Sequence, residues 1–103
     1  MPQVELVYDD ECPNVTLART NLRHAFSLVG LTPSWVEHRI GADGVPAHAR
    51  GYGSPTILVD GLDVALVQPG TEACCRIYEN DGRFVPAPQA ELIAQALGRS
   101  LGA

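Results

Sequence analysis

Three thiols and a short acidic run are the residues of this chain best equipped for chemistry: Cys12, Cys74 and Cys75, with Asp9-Asp10-Glu11 just ahead of the first. Cys12 is followed by Pro13-Asn14-Val15, after which apolar residues recur at helical steps: Val15, Ala18, Leu22, Ala25, Phe26 and Val29. That spacing predicts a helix running to Gly30, with one apolar face. Pro13 suits a first helical turn, where its missing N–H costs nothing, so Cys12 is expected at or beside the N-cap. A thiol there feels the positive end of the helix dipole and unpaired backbone N–H groups, and both favour the thiolate. The three carboxylates work against this. The dipole contributes about 0.3–1 kcal/mol, and a solvated carboxylate cancels a similar amount. The expectation is a modestly activated nucleophile preceded by an acidic loop, read as solvated in preference to a general acid or base.

The elements that must position these residues follow from periodicity and breakers. Val4-Glu5-Leu6-Val7-Tyr8 reads as a short buried strand. Residues 34–40 alternate, with Trp35, Glu37 and Arg39 on one face and Val36, His38 and Ile40 on the other, so a second strand is predicted. A short helix is expected from Asp43 to Gly51, with Pro46 in an early position. Thr56-Ile57-Leu58-Val59 is an apolar strand closed by Asp60-Gly61. Residues 61–73 read as an irregular insertion, with Asp63 to Val67 as the alternative returning strand. Cys75-Arg76-Ile77-Tyr78 reads as a strand closed by Asn80-Asp81-Gly82. A last helix is predicted over Gln89 to Leu97, with Pro88 at its start, Gly98 as its stop and Leu92, Ile93, Ala96 and Leu97 buried.

Size and charge exclude several classes. A chain of 103 residues with 46% apolar composition is one ordinary domain, 1–103. A net charge of −5 argues against nucleic acid, which needs clustered Lys and Arg. No apolar run is long enough for a membrane span, and the start of the chain lacks a secretory pattern, so a cytoplasmic, reducing setting is expected. The cysteines are then thiols at rest rather than a disulfide framework. His24, His38 and His48 have no zinc-ligand spacing with any cysteine, so neither a metal site nor a cofactor is expected.

Two motifs carry a family resemblance. Cys12-Pro13-Asn14-Val15 opens the first helix, and Gly53-Ser54-Pro55-Thr56-Ile57-Leu58-Val59 leads into a strand. In this element order the chain resembles the thioredoxin-like superfamily over essentially its whole length. It is most similar to small bacterial members that add a later Cys-Arg-x-Tyr, here Cys75-Arg76-Ile77-Tyr78, some of which carry labels from mercury metabolism. The resemblance implies an α/β thioredoxin-like fold: a central mixed sheet of about four strands flanked by about three helices. It also implies that Pro55 is cis, that it packs beside Cys12, and that Ser54, Pro55 and Thr56 form a docking surface with the Ser54 backbone turned outward. Val15 departs from the family, standing where a second active-site cysteine would resolve a mixed disulfide.

Resolution then falls to an external thiol such as glutathione, to Cys74 or Cys75, or to nothing. Cys75 is the candidate second catalytic thiol, with a structural core cysteine as the alternative. The leading expectation is thiol-based oxidoreductase chemistry, with Cys12 as nucleophile and glutathione or a protein disulfide as partner. Soft-metal or organomercurial handling is a second reading, with Asp10 or Asp9 as proton donor. A non-catalytic binding module that keeps the fold for its docking loop is a third.

Overall fold

Five residues, Val4–Tyr8, form the central strand β1, because an apolar run with β-branched members fits a position covered on both faces. The computed structural model describes residues 2–67, 76–80 and 82–102. β1 is followed by helix α1 (Val15–Leu28) and strand β2 (Val36–Arg39), which pairs parallel to β1 with Val7 opposite His38. Strand β3 (Thr56–Val59) pairs antiparallel on the other side of β1, with Leu6 opposite Ile57. Strand β4 (Leu62–Asp63) then pairs antiparallel with β3. The result is an α/β architecture on a four-stranded mixed sheet in the order β2-β1-β3-β4. A hairpin of β5 (Tyr78–Asn80) and β6 (Arg83–Val85) forms a separate pair, and helix α2 (Ala90–Ser100) ends the chain.

Both helices lie on one face of the sheet, α1 packed against α2. The main core there includes Leu6, Ile57, Leu22, Phe26, Ile93 and Leu97, none more than 1% exposed. Each such side chain contributes about 1.5–3 kcal/mol on burial. Trp35 closes this side by stacking on Phe26, with ring centroids 6.2 Å apart. The opposite face is covered by the segment between β2 and β3, where Val7, Leu58, Ala49 and Tyr52 form a smaller cluster.

The structure moves several expected boundaries. α1 begins at Val15, because the first intrahelical bond runs from the Ala18 N–H to the Asn14 carbonyl; Pro13 therefore lies outside the helix. Between Asp43 and Gly51 the expected helix is only a 3₁₀ turn, Ala47–Ala49, preceded by Pro46 in an extended conformation. The described residues thus carry two α-helices rather than about three. The insertion assigned to residues 61–73 opens with the fourth strand. Asp60 and Gly61 both adopt positive φ, at 51° and 81°, the mirror-image turn that joins strands through two residues. The expected strand at Cys75–Tyr78 lies partly outside the described residues, and its described end enters the hairpin, not the sheet. Gly98 does not stop α2. The ladder continues through the Leu101 N–H to the Leu97 carbonyl, and Gly102 takes the left-handed position instead. Among the described residues no helix is long and apolar enough to cross a membrane.

Candidate functional site

Asp9, at the end of β1, builds the turn that presents Cys12. Its side chain accepts the Glu11 N–H at 3.0 Å, and its carbonyl accepts the Cys12 N–H at 3.0 Å. A short acid folding back on the backbone two residues ahead is a standard turn device. The Asp9 N–H itself donates to Ser54 Oγ at 2.9 Å, tying this turn to the loop that precedes β3. Asp10 and Glu11 remain exposed, and Asp10 lies 3.6 Å from Arg39 across open surface. The acidic run is therefore two solvated carboxylates and one structural one.

Cys12 sits two residues ahead of the N-cap, Asn14, rather than beside the first helical turn. Its exposure is 7%, and it packs with Val15 and Ala18 in the main core. The nucleophile expected at the mouth of α1 is therefore largely enclosed. The closed Asp9–Cys12 turn folds the side chain inward, because its apolar neighbours are the first residues of the buried α1 stripe. Access comes instead through an open cleft of about 320 Å³, lined by Tyr8, Asp9, Asp10, Cys12, Val15, Thr16 and Arg19. Among the described residues, Arg19 is the one cation in that lining. Its guanidinium lies over the Tyr8 ring at 5.5 Å and grips Glu37 with two bonds of 2.9 and 2.8 Å. The bond from Arg19, with that of the Trp35 indole, holds the Glu37 carboxyl below its ordinary range. Val15 is a buried core residue.

The Ser54–Pro55 bond is cis, as the resemblance implies. The expected docking surface is not open, however. Ser54 and Thr56 are 0% exposed, and Pro55 is also fully buried. The Ser54 carbonyl accepts the Arg76 N–H at 2.7 Å, and the Pro55 carbonyl accepts the Tyr78 hydroxyl. The Arg76 guanidinium donates to Thr56 Oγ1 at 3.0 Å, pairs with the buried Asp63 at 2.9 Å and lies over the Tyr78 ring. The chain's own residues 76–78 therefore occupy the edge that a partner strand was expected to take. Burial pushes the Tyr78 hydroxyl well above the ordinary tyrosine range, with the Arg76 charge opposing. Cys74 and Cys75 lie outside the described residues.

Periodicity did not bring out Asp9, Arg19, Arg76 or Tyr78 as parts of this site. The turn propensity of Asp9 and the Cys-Arg-x-Tyr match at Arg76 and Tyr78 were the local signals, whereas Arg19 acts through contacts distant in sequence. Glu5 had a signal, as the one polar residue inside an apolar run. It is 2% exposed, and the Nε2 atoms of His38 and His48 each lie 2.8 Å from its Oε2. Two of the three histidines are thus partners of a buried carboxylate. Among the described residues no three His, Cys, Asp or Glu side chains are grouped to hold a metal ion. No protein-family model, curated protein or solved structure matches the chain.

Proposed function

We propose that the chain is a thioredoxin-like protein whose Cys12 exchanges with small disulfides of the glutathione class. One observation carries this reading: Cys12 lines an open cleft, while the backbone edge at Ser54 is already paired within the chain. The cleft of about 320 Å³ is open, so one half of a small disulfide can approach Cys12 while the other half stays in solvent. A protein strand would first have to displace Arg76. The order strand, helix, strand, two antiparallel strand pairs, helix, and the link from Asp9 to Ser54, further support the thioredoxin-like reading.

The chemistry is thiol–disulfide exchange. The Cys12 thiolate attacks one sulfur of the small disulfide, the S–S bond breaks, and the other half leaves as a thiolate that takes up a proton. Cys12 then carries a mixed disulfide. With Val15 in place of a resolving cysteine, a second small thiol attacks that bond, restores Cys12 and leaves as a disulfide. Two thiols and one disulfide are conserved through the cycle. Turnover of a glutathionylated peptide by the wild-type chain with free glutathione, lost in Cys12→Ser, is the expected result. Equal turnover by the two proteins contradicts the proposal.

The 7% exposure of Cys12 favours a second reading, a non-catalytic module that retains the fold. Under that reading Cys12→Ser leaves partner binding unchanged, and the native thiol stays unmodified by glutathione disulfide.

A further inference from the structure

Val7 and Tyr8 are consecutive in β1, so their side chains leave opposite faces of the sheet. Tyr8 borders the Cys12 cleft. Val7 floors a second cavity, of about 280 Å³, beneath the segment that follows β2. Its walls are Ile40, Val45, Ala49 and Tyr52, and Arg50 stands at its rim. We propose that this cavity is a binding site for a small aromatic carboxylate, with the ring against the apolar walls and the carboxylate on Arg50.

Three features support that occupant. The first is size: an apolar cavity of roughly 150 Å³ suffices for benzene, so this one takes a substituted ring with its polar group. The second is charge. The Arg50 Nε donates to the Val45 carbonyl at 3.0 Å, which fixes the guanidinium across the loop. Among the described residues no carboxylate pairs with Arg50, whereas Arg19, Arg39 and Arg76 each have one. A fixed guanidinium with free terminal N–H groups is suited to grip a carboxylate bidentately. The third is preorganisation. His48, in the roof, lies 2.9 and 2.8 Å from the two oxygens of Glu5 in β1, and the Ile40 N–H donates to the Tyr8 carbonyl at 2.7 Å. These bonds fasten both ends of the roof to β1, so little ordering is left for a ligand to impose. The location agrees too, since ligands in α/β sheets gather beyond the carboxyl ends of parallel strands, and the segment after β2 starts there.

The test is a titration of the full chain with sodium benzoate and, separately, with benzyl alcohol, followed through backbone amide shifts. Benzoate is expected to shift Val7, Ile40, Ala49 and Tyr52 saturably, and to bind about tenfold more tightly than the neutral alcohol, the margin of one charge-assisted contact. Arg50→Gln should remove that margin while leaving the alcohol bound. Cys12→Ser should alter neither, which separates this site from the thiol cleft. The inference is overturned if benzoate up to roughly 10 mM leaves those amides unshifted, if the alcohol binds equally well, or if Arg50→Gln leaves benzoate binding intact.

Discussion

The Arg76 amide donates to the Ser54 carbonyl at 2.7 Å, so the backbone bond that a docked strand would make is made from within. Ser54 is held on its other side by the Asp9 N–H, and it thereby joins the Cys12 turn to the Arg76–Tyr78 segment. The closed edge and the cleft opening together restrict what can reach the sulfur.

Ser54→Ala removes the acceptor for the Asp9 N–H without touching Cys12. The Ser54 side of this bond is fully buried, so a loss of about 1–2 kcal/mol in urea unfolding is expected. The Asp9–Cys12 turn should loosen as well. Thiol labelling of Cys12 in native buffer is then faster than in the wild type; unchanged labelling and unchanged stability would remove Ser54 from this role.

Arg76→Ala leaves the Asp63 carboxylate buried at 0% side-chain exposure with its cation gone. Among the described residues, the Ala65 and Val67 N–H groups then remain on it. Breaking a buried pair by removing one partner costs about 3–5 kcal/mol, and replacing both partners costs far less. Chemical denaturation of Arg76→Ala beside the double variant Asp63→Asn/Arg76→Met checks this, with the double variant expected to be the more stable.

Burial holds the Tyr78 hydroxyl protonated to higher pH in the fold than in the unfolded chain. The unfolded chain therefore loses this proton first. The associated stability is complete below about 10, the ordinary tyrosine value, and declines as pH rises above it. Tyr78→Phe should flatten the alkaline limb of the stability profile, at a cost of about 0.5–1.5 kcal/mol at neutral pH for the bond to the Pro55 carbonyl.

The opposite limb tests Glu37, whose carboxyl the Arg19 bond lowers. Its contribution is present above the ordinary glutamate value of about 4.3 and is lost as pH falls through the lower folded value. The pair is partly exposed, so the effect is small and screened by salt. A shallower acid limb in Arg19→Met, converging with the wild type at high salt, is the expected result.

The sheet's central strands and both α-helices were legible because their residues obey one period over several turns or pleats. Val15, Ala18, Leu22, Ala25 and Phe26 are all buried, as their spacing requires, and the two faces of 35–40 divide as their alternation indicates. Helix ends were less legible, because Pro13 and Pro88 mark a start without fixing which carbonyl accepts the first bond. β4 was hidden by its two-residue length, although Asp60-Gly61 announced the turn before it. The closure of the Ser54 edge had no local signal, since it depends on Arg76 and Tyr78 meeting residues about twenty positions earlier. The burial of Cys12 was likewise decided by tertiary packing, which a motif of four residues does not encode.

The most direct test mixes the native chain with glutathione disulfide or with insulin and reads the mass of the peptide carrying Cys12, together with reduction of insulin. The predicted result is glutathione on Cys12 ahead of the other cysteines, with no insulin reduction while the Ser54 edge stays closed. A Cys12 that takes up glutathione only after denaturant is added contradicts the account.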